Sequence, residues 1–308
     1  SISYSYDAVE NLLTCSTVNG TTKYCYDLND RLATVTDSQG GVTCFSYDAV
    51  GNKTERVLAN GIKTAWQYNS RNQLIGLSHR QADGIVIADY QYTLDAKGNR
   101  TAITETLVNE QGQSHQRQLA YSYDNVDRLA SETVTDNDNA FGGSYSRSYQ
   151  YDSVGNRSQQ IHTANNQTVT TTYSYDVNDQ LQSETTGGVQ TNYRYDKNGN
   201  LIEKSNAQGV LAQYRYNTKN QLTEVILPQV SYRYAYDSQG NRIQSQKIVN
   251  GQTDTINHVV DTNFNYAEVI EEKDGQGQLL RSHTFAPENS GDLLSISTAN
   301  KESRYSLE

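Results

Sequence analysis

The stretch Tyr193-Arg194-Tyr195-Asp196-Lys197-Asn198-Gly199-Asn200-Leu201-Ile202-Glu203 decides how the chain is read. It reads as a strand ending in a Tyr-x-Tyr-Asp box, a tight turn, and a second strand leaving. Tyrosines two apart lie on one face of an extended chain. Asp196 stands where the strand must end, and a short carboxylate there hydrogen-bonds nearby backbone amides. Gly199 supplies the positive φ that a reversal needs, and Asn200 tolerates turn geometry. One such unit is a hairpin.

The box recurs at Tyr6-Asp7, Tyr26-Asp27, Tyr47-Asp48, Tyr68-Asn69, Tyr123-Asp124, Tyr151-Asp152, Tyr175-Asp176, Tyr195-Asp196, Tyr216-Asn217 and Tyr236-Asp237. A stretched copy, Tyr92-Thr93-Leu94-Asp95, fills the gap between Tyr68 and Tyr123. Successive tyrosines are 20, 21, 21, 24, 31, 28, 24, 20, 21 and 20 residues apart. A second aromatic stands two residues earlier, as in Tyr4, Tyr24, Phe45, Trp66, Tyr121 and Tyr234. Gly-Asn turns follow many boxes, including Gly51-Asn52, Gly155-Asn156 and Gly240-Asn241. A second reversal lies halfway to the next box, at Asn19-Gly20, Asn60-Gly61 and Asn250-Gly251, and Asn-Gly between extended runs is a strong hairpin signal. Each repeat is therefore about two strands and two turns, and a fixed period of this length marks an array.

This pattern resembles the RHS or YD-repeat family, which includes bacterial Rhs polymorphic toxins, the B and C components of Tc toxin complexes, and the teneurins. The resemblance covers essentially the whole chain. A single Tyr-Asp carries no information, but eleven spaced boxes form a specific signal. The stretch from His258 to Asn263, followed by Tyr266–Glu272, also looks like the segment that ends the repeat array in Rhs proteins. The resemblance implies a β-sheet spiral forming the wall of a hollow shell around a toxic C-terminal polypeptide. In many relatives an aspartyl autoprotease in a downstream core releases that polypeptide. The core signature, Asp-Pro-x-Gly-Leu, is absent here, so that activity is not carried over.

The expected fold is all-β: repetitive antiparallel hairpins forming a large curled or spiralling sheet. Residues 1–257 read as the repeat array and 258–308 as a terminal repeat segment ahead of the absent core. Roughly two strands for each of about twelve units gives about 24 strands, and open twisted sheets of that width curl or split. Hydrophobic residues make up only 35% of the chain and mean hydropathy is −0.78. That is lean for a packed two-layer domain. The 24 tyrosines, kept in register, instead suit a sheet with partly wet faces, because their rings supply area and their hydroxyls tolerate water. Two longer excursions, Thr101–Ala120 and Ser131–Ser148, read as a long hairpin around Asn109-Glu110-Gln111-Gly112 and as an acidic, flexible loop from Asp136 to Gly143. The stretch from Pro287 to Leu294 reads as irregular.

Composition excludes several classes. A formal charge of −10 and a sequence pI near 5.0, without any basic run, argue against nucleic-acid binding. Nothing approaches 18 consecutive apolar residues, so no membrane insertion is expected. No signal peptide is visible at Ser1, and the absence of methionine reads as that of a piece of a longer chain. A secreted or cell-surface bacterial location is the expectation that the resemblance brings. Cys15, Cys25 and Cys44 are odd in number, so at least one is free in a monomer; one disulfide is allowed by the count but not implied. Alternation puts Cys25 on the face opposite Tyr24 and Tyr26.

The recurring aspartates occupy equivalent positions, whereas acid–base catalysis needs carboxylates in different environments. They read as turn caps, and no enzyme is expected. Five scattered histidines show no zinc spacing, no nucleotide-binding motif is present, and the calcium-loop glycine and terminal acid are missing. No metal or cofactor is therefore expected. The residues carrying the function are the structural repeat motif itself: Tyr6, Asp7, Tyr26, Asp27, Tyr47, Asp48, Tyr123, Asp124, Tyr151, Asp152, Tyr175, Asp176, Tyr195, Asp196, Gly199, Tyr236, Asp237 and Gly240. Two functions compete. The first is a non-catalytic shell wall, whose partners are a cargo toxin polypeptide and the remaining shell segments. The alternative is a carbohydrate- or cell-surface-binding module whose tyrosine ladder grips a glycan. Tyrosine rings packed on neighbouring repeats favour the wall; rings presented to solvent favour adhesion.

Overall fold

Aromatic and β-branched residues at alternate positions, broken every ten residues or so by Gly, Asn and Asp, favour an antiparallel meander. The computed structural model, which describes residues 2–109, 111–136, 139–263, 266–287, 291–298 and 303–305, has this architecture. Its 27 strands, three to ten residues long, form one antiparallel sheet, and no helix occurs among the described residues. The fold class is the expected one. Two of the three strands beyond 24 lie at the C-terminal end, Leu293–Thr298 and Ser303–Tyr305. Leu293 and Leu294 thus correct the irregular reading of that stretch; Glu288, Asn289 and Ser290 lie outside the described residues.

The box hairpin follows one construction. Val189–Tyr195 pairs with Leu201–Asn206 in the register Tyr193↔Lys204, Arg194↔Glu203, then shifts by one residue so that Tyr195 faces Leu201. The same shift precedes the tyrosine at Tyr6, Tyr26, Tyr47, Tyr123, Tyr151, Tyr175 and Tyr236. It is a bulge, and it follows from the turn. Asp196 N–H donates to the Asn200 carbonyl at 2.9 Å and Gly199 N–H to the Asp196 carbonyl at 3.1 Å. Closing both bonds puts Gly199 at φ +85°, the left-handed region where glycine has no Cβ penalty.

The chain divides into two compact units, one of Ser1–Trp66, His79–Ile85 and Val230–Glu308, the other of Gln67–Ser78 and Val86–Gln229. In the first, the opening hairpins pack against the closing ones. Its core joins Leu12, Cys15, Tyr24, Leu32, Val35 and Phe45 to Ile270, Ala286 and Leu294. The second has a much smaller apolar cluster, Ile103, Leu119 and Val134, flanked by Tyr90, Tyr92, Tyr121 and Tyr145. With so few aliphatic side chains buried, this unit depends on its ladder bonds and its half-buried tyrosines.

The first excursion is the expected long hairpin, Arg100–Val108 against Ser114–Tyr123; Glu110 at its tip lies outside the described residues. The second differs from expectation at Asp136, which is buried rather than on an exposed acidic loop. Its carboxylate accepts hydrogen bonds from the amides of Phe141 and Gly143, at 3.0 and 3.1 Å, and so caps the loop from within. Asn137 and Asp138 lie outside the described residues.

Candidate functional site

Every box residue caps its own turn in the same way. Asp196 Oδ1 accepts from the backbone amides of Asn198 and Asn200, both at 2.9 Å, and Oδ2 accepts from the Asn200 side chain at 2.9 Å. The two backbone bonds recur at Asp7, Asp27, Asp48, Asp95, Asp124, Asp152, Asp176 and Asp237. Asn69 and Asn217 serve as well, because an amide oxygen accepts the same pair. In those two turns the partner side chain is Gln73 or Gln221, whose carbonyl accepts from the box amide nitrogen. The Asn200 side chain and then its backbone amide hold the Asp196 carboxyl below the usual range; at Asp27 the Arg31 side chain is the leading cause. A carboxylate that accepts several hydrogen bonds prefers its charged form.

The box tyrosine acts elsewhere, reaching back to the preceding repeat. Tyr195 Oη donates to the Leu181 carbonyl at 3.1 Å. Tyr26 reaches Leu12, Tyr47 reaches Leu32, Tyr123 reaches Arg100, Tyr151 reaches Leu129 and Tyr175 reaches Arg157, at 2.7 to 3.1 Å. The acceptor is always the fifth residue after the preceding box residue, the first beyond the bulge. Its carbonyl lies where the ladder has slipped. Arg31 lies over the Tyr47 ring at 4.8 Å and Arg128 over Tyr151 at 4.4 Å, so the far side of those rings is covered too. These six rings are half-buried against a neighbouring repeat.

The stretched copy is placed differently from its sequence reading. Leu94, not Tyr92, faces Arg100 across the bulge, and Asp95 makes the usual turn with Asn99. Tyr92 therefore occupies the first aromatic position, like Tyr121, and lies beneath the Arg100 guanidinium at 4.0 Å. This box lacks a tyrosine hydroxyl at its second position.

A second cluster joins the two ends of the first unit. Asp261, wholly buried, accepts from Tyr4 Oη at 2.6 Å, from Cys15 Sγ at 3.5 Å and from the Asn263 amide at 2.9 Å. Tyr6, the first box tyrosine, donates to Asn263 at 3.0 Å. Glu271 accepts from Thr17 and, at 2.9 Å, from Asn19, with Lys273 Nζ 3.1 Å away. Burial pushes the Glu271 carboxyl up, but these donors outweigh burial and hold it below its usual value. Ser295 donates to the buried Asp37 at 3.3 Å, and Lys53 pairs with Asp292 at 3.3 Å. The sequence reading missed this seam. The available signal was an acid ending each of the apolar runs Val259-Val260-Asp261 and Val269-Ile270-Glu271, where water-facing strands elsewhere carry Thr or Ser.

The seam has the wrong chemistry for a nucleophile. Burial, with the Asp261 charge beside it, pushes the Cys15 thiol up to about 12, whereas a reactive cysteine needs a lowered value. Cys25 and Cys44 are exposed and free. Among the described residues, no three His, Cys, Asp or Glu side chains are placed to hold a metal ion.

Comparison with known proteins gives consistent matches. A teneurin YD-shell family model matches residues 100–212, and an RHS-repeat model matches residues 26–63. The tRNA3(Ser)-specific nuclease WapA of Bacillus spizizenii is 28% identical, the match covering 66% of this chain and 11% of that protein. Toxin subunit YenC1 of Yersinia entomophaga is 29% identical, over 40% of this chain and 15% of that subunit. Among solved structures, the crystal structure of TcdB2-TccC3-Cdc42 superposes with a TM-score of 0.54 at 17% identity, over 97% of this chain and 18% of that one. TcdB2-TccC3 without its hypervariable C-terminal region gives a TM-score of 0.52 at the same identity. These structures share the fold, and the chain spans only a small fraction of the relatives it matches.

Proposed function

We propose that this array of RHS/YD repeats serves as a wall segment of a larger shell that encloses a toxic polypeptide. The observation that carries the proposal is the use made of the box tyrosines. Six of them spend their hydroxyls on a carbonyl of the preceding repeat. Rings engaged in this way stiffen the sheet in the direction across its strands, where a wall must not part. The same rings are half-buried against the neighbouring repeat rather than presented to solvent, which favours the wall over the glycan-binding alternative. The polar faces suit a surface that holds an unfolded cargo without trapping it on apolar patches. The fold shared with TcdB2-TccC3 supports a shell-type repeat.

In this reading the chain performs no catalysis. The nuclease name belongs to a relative of which the match covers 11%. The partners are a cargo polypeptide and further shell segments, with no nucleic acid and no inserted membrane segment, and the location is secreted or at the cell surface. The motif residues from Tyr6 to Gly240 act as structural elements of the wall. Small-angle scattering from the chain tests the proposal: a density minimum at the particle centre is expected. A solid rod, combined with retention on sugar arrays, would reject it in favour of adhesion.

A further inference from the structure

We infer that adjacent box turns recognise one another through an alternating two-residue code, which makes a pair of repeats, not a single repeat, the building unit of the array. The code lies in the third and fourth residues after each box residue, the left-handed position and the closing position. In alternate turns these are Glu10-Asn11, Gly51-Asn52, Gly98-Asn99, Gly155-Asn156, Gly199-Asn200 and Gly240-Asn241. In the turns between them they are Asp30-Arg31, Asn72-Gln73, Asp127-Arg128, Asp179-Gln180 and Asn220-Gln221. The left-handed residue has positive φ in all eleven turns, +56° to +71° where it carries a side chain and +85° to +105° where it is glycine, so the backbone separates glycine from the rest but does not set which closing residue follows. Turn capping does not either, since Asn, Arg and Gln all close the same box.

The contacts between neighbouring turns account for the alternation. A short closing Asn reaches the next left-handed side chain and donates to it. Asn11 donates to Asp30 at 3.2 Å, Asn99 to Asp127 at 3.2 Å, Asn156 to Asp179 at 2.7 Å and Asn200 to Asn220 at 2.9 Å. Asp and Asn are also the residues with a side-chain acceptor that best tolerate left-handed geometry. A long closing side chain is followed instead by a neighbour without a Cβ. A Cβ at Gly98 would lie 2.6 Å from Gln73 Nε2 and one at Gly199 3.1 Å from Gln180 Nε2, so the end of the long side chain would have to move aside; at Gly155 a Cβ would make ordinary contact with Arg128 Nη1 at 3.7 Å. Arg31 passes over its neighbour to donate to the Asp48 carbonyl at 3.1 Å; at Gly51 no atom lies within 4 Å of the Cβ position, and φ of +97° alone favours glycine there. Each turn thus presents a short donor or a long one, and accepts the neighbour built to fit it. An array obeying this rule gains or loses repeats in pairs.

A double-mutant cycle on the full chain tests the code. Asn200→Arg converts a short closing residue to a long one, and Asn220→Gly supplies the matching neighbour. Amide exchange at the two turns reports local opening. Asn220→Gly is expected to be more favourable in the Asn200→Arg background than in the wild type by about threefold or more in the opening constant, the scale of coupling between residues in contact. A mirrored cycle, Gly199→Asn with and without Gln180→Asn, is expected to show Gly199→Asn tolerated better when the long side chain is gone, and it decides the matter if Arg at 200 prevents folding. Equal effects in both backgrounds of either cycle would overturn the code and leave the alternation without structural meaning.

Discussion

The tyrosine staple makes a quantitative demand at Tyr195. Tyr195→Phe keeps the ring and removes the hydroxyl, and with it the 3.1 Å bond to the Leu181 carbonyl. An intramolecular hydrogen bond of this kind contributes about 0.5–1.5 kcal/mol net. The ring is half-buried and water can re-bind the freed carbonyl, so the expected loss is about 1 kcal/mol. Tyr195→Ala also removes the ring. A fully buried aromatic costs about 3–5 kcal/mol on truncation, and half-burial reduces this to about 2–3 kcal/mol. For a unit of this size, 1 kcal/mol shifts Tm by about 2–4 °C. Calorimetry on the wild type and both variants, with amide exchange at Leu181 and its neighbours, separates the two contributions. The exposed Arg194→Ala serves as a control, since its ion pair with Glu203 is a surface pair and such pairs contribute little. The reasoning fails if Tyr195→Phe matches the wild type while Tyr195→Ala loses its full amount, for then the ring packs and the staple contributes nothing. It fails more broadly if both variants match the wild type.

The other predictions probe neighbouring features of the fold. Leu94→Tyr restores the missing hydroxyl of the stretched box and is expected to raise Tm by about what Tyr195→Phe loses; a fall would show that the bulge position there has no acceptor in reach. Gly199→Val places a β-branched residue at φ +85°, where an L-residue loses about 1–2 kcal/mol, and an unchanged melt would refute the turn geometry. Asp261→Ala strips the acceptor from Tyr4 and Cys15, and a buried donor left unpaired costs about 1–3 kcal/mol; urea unfolding is expected to rank wild type above Asp261→Asn above Asp261→Ala. Stability is also expected to fall at both ends of the pH scale. The carboxyls of Asp7, Asp27, Asp48, Asp95, Asp124, Asp152, Asp196 and Asp237 are held below 3.8 in the fold. Their contribution is therefore complete above that value and lost as pH drops through the folded ones. Burial raises tyrosines such as Tyr121, to about 12, and Tyr195 above 10.0; their contribution is complete below pH 10 and lost as pH rises through the folded values. A urea midpoint that stays flat to pH 2 would refute the first limb.

The array was legible in the sequence because its determinants are local. A turn capped by Asp196, closed by Asn200 and relieved by Gly199 involves five consecutive residues, so periodicity alone exposes it. Alternation around Tyr193 and Tyr195 fixes which face the rings take. The same locality explains the misplaced box: Tyr92-Thr93-Leu94-Asp95 can be aligned on its tyrosine or on its aspartate, and only the bulge register shows that the aspartate governs.

What the sequence determined by itself was the repeat, the all-β class and the chemistry of each turn. What tertiary structure decided was everything joining residues far apart in the chain. The hydroxyl of Tyr26 finds Leu12, Asp261 finds Tyr4 and Cys15, and Glu271 finds Thr17 and Asn19. The Tyr26 acceptor at least recurs at a fixed place in the repeat; the partners of Asp261 and Glu271 are marked by no motif, because a buried carboxylate reads in sequence like any exposed one until a strand from the other end of the chain takes its water away. Desolvation turns Asp261 from a surface acid into an obligatory acceptor, and desolvation depends on packing.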